Sequence, residues 1–224
     1  MVADVTSNDA AERIMLAGER LIAEHGVDVS LRDIALAAGQ RNNSAVHYYF
    51  GGRDGLIDAI IDRRLVAMEA ERLELLAESE ADGTSDDAHS LVAMLVGPML
   101  DVVGEGGDTH YARFLQVVRN HPAIADVSRL SGADRAAVRI ITSRLNRCIA
   151  DLPPQLRRVR LEAMASTMFT LLADLERAKA NGVRMGAAAT RAAGQQLVDM
   201  LVGLLTAPTG SREPTRRTRA RSSV

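Results

Sequence analysis

Asn42, Asn43, Ser44, His47 and Tyr48 crowd five hydrogen-bonding side chains into one short stretch. Val46 and Phe50, at i, i+4 spacing, give the same stretch a narrow apolar edge. A short helix of this kind turns one side to a core and offers hydrogen bonds on the other. Asn can pair bidentately with adenine, Ser donates or accepts, and Tyr and His more often hold phosphates. The chemistry on offer is recognition of base edges, not bond making. Tyr49 and Phe50 read as core aromatics. His89, His110 and His121 are too scattered for a metal site. No strong nucleophile–base pairing, P-loop or glycine fingerprint is visible, and the glycine-rich run at 104–107 follows no strand. No catalytic residue, metal ligand or cofactor is expected.

Such a helix must be positioned by its neighbours, and helical periodicity runs through nearly the whole chain without convincing strand alternation. The apolar content is 47%, while aromatics make up only 3%. That mix of Ala, Leu, Val, Ile and Met favours helix over sheet. A first helix is expected from about Asp9 to His25, stopped by Gly26. Ser30 is an N-cap before Leu31, with Asp33 as an acidic variant of the capping box. A second helix then runs to Ala38 and ends at Gly39. Leu31, Ile34 and Ala35 form its inner face. A third helix is expected over roughly Asn43 to Phe50, and Gly51-Gly52 separates it from a long fourth helix reaching towards Glu80. Further helices are expected over 87–103, 109–120, 122–150, 154–180 and 186–206, with Pro98 kinking the first of these.

The reading is all-α, with a three-helix unit over 1–52, a larger helical domain over 53–206 and a disordered tail over 207–224. In that tail five arginines (Arg212, Arg216, Arg217, Arg219 and Arg221) face Glu213 alone. The start of the chain is polar and acidic, and its apolar runs fall far short of the roughly 20 residues of a membrane span. A soluble cytoplasmic protein with no membrane partner is expected. Cys148, the single cysteine, reads as a small core residue rather than a redox sensor. The net charge is −2, and residues 1–52 hold four arginines against seven acids. DNA binding must therefore rest on the placement of a few groups, not on bulk charge.

Residues 9–60 resemble the N-terminal domain of the TetR family of transcriptional regulators. The resemblance lies in Ile34-Ala35 through Gly39, in His47-Tyr48-Tyr49-Phe50, and in Arg53-Asp54-Gly55-Leu56-Ile57, all in register over about 50 residues. It implies a helix-turn-helix domain with Ser30 and Arg32 near the DNA backbone. Arg41, Asn42, Asn43, Ser44 and His47 would face bases or nearby phosphates, and Tyr48 and Arg53 would clamp phosphate. Arg53 also stands at a helix N-terminus, which attracts anions. There are two departures: the turn Gly39-Gln40-Arg41-Asn42 is one residue longer than the common pattern, and His47 stands where the family usually has Tyr.

For the larger domain the resemblance is architectural and implies ligand binding and dimerisation through the last two long helices. Leu171 and Leu175 on one, with Leu197, Met200, Leu201 and Leu204 on the other, are expected at a homodimer interface. Met94, Met99, Phe114, Leu115, Val118, Met164, Met168 and Phe169 are candidate pocket residues, because Met-rich helical faces adapt to ligands. The function implied is a ligand-responsive regulator, a repressor released from a near-palindromic DNA operator by an apolar or amphipathic small molecule. An activator, a partner-controlled regulator and a helical small-molecule-binding enzyme remain as alternatives.

Overall fold

A computed structural model describes residues 2–42, 44–84, 86–104, 109–125 and 135–209. Among them are ten α-helices and no strand. The N-terminal unit follows from its punctuation. Helix α1 (Val2–His25) ends at Gly26, whose φ of 89° suits glycine alone. It begins several residues earlier than expected, since no Gly or Pro interrupts the preceding residues. Helix α2 (Leu31–Ala37) starts where the Asp33 N–H donates to the Ser30 hydroxyl oxygen at 3.1 Å, the predicted cap. Ile34 and Ala35 are its buried face.

Helix α3 (Ala45–Phe50) is two residues shorter at its start than expected. The reason is local: the Asn42 carboxamide oxygen accepts the Ser44 N–H at 2.9 Å and closes a turn there instead of a helix. Ala45 and Val46 enter the core, while Phe50 is only partly buried against it. Gly51 and Gly52 then reverse the chain into α4 (Arg53–Ala81). Gly55 lets α4 pass close to the end of α3, because a Cβ there would stand 1.9 Å from the Phe50 carbonyl oxygen.

The larger domain contains α5 (Ala88–Gly104), α6 (Tyr111–Val117), α7 (Pro122–Ala125), α8 (Ala136–Cys148), α9 (Pro154–Ala180) and α10 (Ala187–Thr206). Helix α5 continues through Pro98. The single helix expected over 122–150 is corrected to α7 and α8, because Arg135, at φ −134°, begins α8 afresh. The main packings are α6 on α9, α5 on α10, and α1 on both α4 and α6. One apolar core runs from Ile14 and Ile34 in the N-terminal unit through Ile60 and Phe114 to Leu172 and Leu201. The expected arginine-rich tail falls almost wholly outside the described residues, which end at 209.

Two polar side chains of the larger domain are tied in by hydrogen bonds. Glu176 of α9, 2% exposed, accepts the Thr109 hydroxyl at 2.6 Å and the N–H groups of Ala112 and Arg113 at 3.3 and 3.0 Å. It also accepts from the Arg113 guanidinium at 3.0 Å. A carboxylate from one helix thereby satisfies the orphan donors at the start of another. Cys148 is only partly buried; its thiol donates to the Asp86 carbonyl at 3.1 Å, and burial raises its pKa above the ordinary thiol value. The thiolate needed for redox chemistry is therefore disfavoured.

Candidate nucleic-acid interface and internal cavity

Helices α2 and α3 and the turn between them hold most of the residues expected to meet DNA on the exterior. Ser30, Arg32, Arg41, Asn42, Ser44, His47 and Tyr48 are all exposed. Asn43 lies outside the described residues. Tyr48 is 79% exposed, although its ring meets Tyr49 edge-on at 4.9 Å. Its helix is anchored on the other face by fully buried Val46.

Two of these residues have local duties that limit their freedom. The Ser30 oxygen caps α2 and the Asn42 oxygen forms the turn before α3. Arg53, expected to clamp phosphate, also has a structural contact. Its guanidinium donates to the Val27 carbonyl and so binds the start of α4 to the loop before α2.

Four of the seven acids of residues 1–52 are paired. Asp9 pairs with Arg13 along α1, Glu12 with Arg63 at 2.6 Å, Glu19 with Arg64 at 2.6 Å, and Glu24 with His110 at 3.2 Å. Glu12 and Glu19 thus turn towards α4, and Glu24 towards the start of α6. Among the described residues Arg32 and Arg41 have no carboxylate partner, and the exposed Asp28 and Asp33 beside them have no cationic one.

A cavity of about 1090 Å³ lies in the larger domain, just above the range of about 300–1,000 Å³ usual for small-molecule sites. Five of the eight expected pocket residues line it: Met99, Leu115, Met164, Met168 and Phe169. The other three are corrected to core positions. Met94, Phe114 and Val118 are 5%, 0% and 3% exposed and do not reach the cavity. Sequence reasoning missed the contribution of α4, which supplies Ile61, Leu65, Met68 and Arg72, and the phenol of Tyr111 at the start of α6. The signal for Arg72 was present. It falls in the stripe Leu65, Met68, Arg72, Leu76, a cation at a core position of an amphipathic helix.

One route of contacts joins the cavity to the N-terminal unit. The Arg64 guanidinium of α4 stands 5.2 Å from the centre of the cavity-lining Tyr111 ring and forks onto Glu19 of α1 through Nε and Nη2, at 2.9 and 2.6 Å. His110, the residue before Tyr111, reaches Glu24 of the same helix.

The expected dimer residues divide. Met200 is 48% exposed, and Leu171, Leu175 and Leu204 are half-buried. Leu197 and Leu201 are corrected to intrachain core, since they are 2% and 0% exposed within one chain.

An N-terminal helix-turn-helix with an outward polar recognition helix, joined through α4 to a cavity-bearing helical domain, defines a DNA-binding regulator with a ligand-binding domain. Residues 14–60 match the family described as bacterial regulatory proteins, tetR family, and residues 93–203 match the tetracyclin repressor-like C-terminal domain. The chain belongs to the TetR family and is a DNA-binding transcriptional regulator. No curated protein matches it as a relative. No helix among the described residues is long and apolar enough to cross a membrane.

Proposed function

We propose that the chain works as a homodimeric repressor that leaves a near-palindromic operator when a small molecule fills the cavity. The observation that carries this reading is the sharing of α4. The helix lines the cavity with Leu65, Met68 and Arg72, and between them and its start it holds α1 through Arg63 and Arg64. A ligand that changes the seat of α4 or Tyr111 acts directly on contacts that orient the DNA-binding unit. Two recognition helices set about 34–36 Å apart would read successive major grooves. A ligand favouring another spacing shifts the population off DNA only by its differential affinity for the two states.

Support for a dimer comes from α9 and α10, where Leu171, Leu175, Met200 and Leu204 keep apolar surface exposed at the end of the chain's own packing. The reading is tested by selecting bound duplexes from a random DNA pool at near-physiological salt, which must be stated because phosphate contacts dominate non-specific affinity. Enrichment of one inverted repeat, bound by two chains, is expected. A folded protein that enriches no sequence, even after ligand-free refolding, would overturn it.

A further inference from the structure

Arg72 sits on the cavity wall with 2% of its surface exposed, and its Nε and Nη1 have no hydrogen-bond partner among the described residues. Its one polar contact is from Nη2 to the Met68 sulfur at 3.6 Å, a weak acceptor. Glu69, one turn back on α4, makes no ion pair with it; its Oε1 accepts the Ala137 N–H at 2.8 Å and its buried Oε2 has no hydrogen-bond partner among the described residues. A guanidinium stays protonated even where burial lowers its pKa, as it does here. A buried cation with unmet donors is costly for a fold to hold, and here the nearby carboxylates of Glu69 and Glu71 offset the cost of burial only in part. Ordinary cores avoid such cations, whereas ligand sites keep them for the charge they are to meet.

The surroundings agree in sign. Arg119, Arg157 and Arg158 also line the cavity, and the Arg157 Nε is likewise buried without a partner. Among the lining residues Glu162 is the sole acid, and it is about half exposed and lies 3.8 Å from Arg158. The remaining wall is largely apolar, built from Leu65, Met68, Leu95, Met99 and Phe169.

We propose that the cavity takes an amphipathic organic anion, its apolar body against the Met- and Leu-lined wall and its carboxylate-like head on Arg72. This deepens the ligand half of the proposed function and rests on that reading for its regulatory meaning. The fork of a guanidinium suits a planar or tetrahedral oxyanion with two acceptor oxygens. Tyr111, also on the wall, is held as a neutral phenol by its burial and so can donate to the same head group.

The test uses two fluorescent probes of one skeleton, anilinonaphthalene sulfonate and uncharged N-phenylnaphthylamine, titrated into the full chain without DNA. The wild type is expected to bind the sulfonate at one site per chain, about tenfold or more tighter than the neutral probe. Arg72→Met is expected to lose about tenfold for the sulfonate and to keep the neutral probe's affinity within about twofold. Arg72→Lys, which keeps the charge but not the fork, should fall between them and serves if the Met variant does not fold. Equal affinity of the two probes for the wild type, or equal weakening of both by Arg72→Met, would overturn the inference. Because no DNA is present, failure here leaves the duplex selection untouched. Discrimination of the probes by a chain that enriches no operator would retain the anion site and remove the regulatory reading.

Discussion

Arg64 grips Glu19 with two guanidinium nitrogens, at 2.9 and 2.6 Å, and so fastens the helix that opens the DNA-binding unit to the helix that walls the cavity. The Glu19 side chain is 5% exposed, which makes its partner hard to replace. Arg64→Met leaves that carboxylate buried and unmatched and is expected to cost roughly 3 kcal/mol. Glu19→Gln combined with Arg64→Met should recover much of the loss. A double-mutant cycle in urea measures the coupling directly, and additive single effects would remove the fork from the list of stabilising contacts.

Tyr48 offers the opposite case, a residue with little to do for stability. Its ring is 79% exposed, so Tyr48→Ala should change the unfolding free energy by less than about 0.5 kcal/mol. Operator affinity should nevertheless fall by about tenfold. If Tyr48 holds a phosphate through its hydroxyl, Tyr48→Phe will share the loss; if it packs on the sugar or a thymine methyl, Tyr48→Phe will be silent. Binding isotherms on the selected duplex at two salt concentrations separate these outcomes.

Glu176 closes the start of α6 from a neighbouring helix. Glu176→Ala strands the N–H groups of Ala112 and Arg113 together with the Arg113 guanidinium, and a loss of about 3–5 kcal/mol is expected. Glu176→Gln keeps the acceptor oxygen and should cost distinctly less. Calorimetric melting of the three proteins checks the order; equal melting temperatures would mean that water replaces the carboxylate.

Gly55 has no room for a side chain, since its Cβ would meet the Phe50 carbonyl at 1.9 Å. In an ordinary helix Gly→Ala stabilises by up to about 1 kcal/mol. Here Gly55→Ala should destabilise by about 1–3 kcal/mol by pushing α4 away from α3. Chemical denaturation gives the sign, and a stabilised variant would show that the approach of the two helices is loose.

Asp87 caps α5, its carboxylate accepting the Ser90 N–H at 2.8 Å and the Ser90 hydroxyl at 2.9 Å. Those bonds hold its pKa below the ordinary carboxylate value, so its stabilisation is present above the unfolded pKa and is lost as pH falls through the folded one. Asp87→Ala should cost about 1 kcal/mol at neutral pH. The gap between the two proteins should close below about pH 4. A gap that persists in acid would show that the charge of Asp87 is not what matters.

Met200→Glu with Leu204→Glu places two charges on the exposed apolar edge of α10. Under the proposed assembly this yields folded monomers by light scattering and lowers operator affinity by about two orders of magnitude. Dimers that survive both charges would place the interface elsewhere.

The fold was legible because its breaks are written in glycine, proline and capping residues. Gly26, Ser30, Gly39 and Gly51-Gly52 mark the end of α1 and both ends of α2 and α3 to within about two residues, and Pro154 and Asn181-Gly182 mark α9, whereas no such residue marks the start of α1. The break between α7 and α8 was harder, because apolar periodicity on both sides of it reads as one long helix. Site residues followed the same division. Exposure of the polar face of α3 follows from its pattern, whereas periodicity states only that a position is apolar. It does not say whether the covering surface is another helix of the chain, as at Leu197 and Leu201, or a cavity, as at Met164 and Met168. Arg72 is the converse case: a set of candidate pocket residues drawn from apolar side chains passes over a cation, though its spacing places it on the inner face.

The pairing of the acids on α1 has a kinetic meaning as well. A chain of net charge −2 should be repelled by DNA if its charge were spread evenly. With Glu12 and Glu19 committed to α4 and with Arg32 and Arg41 standing outside, the molecule carries an electric asymmetry instead of a uniform field. Such an asymmetry would favour approach to a duplex with the face bearing Arg32 and Arg41 foremost, an effect that added salt weakens.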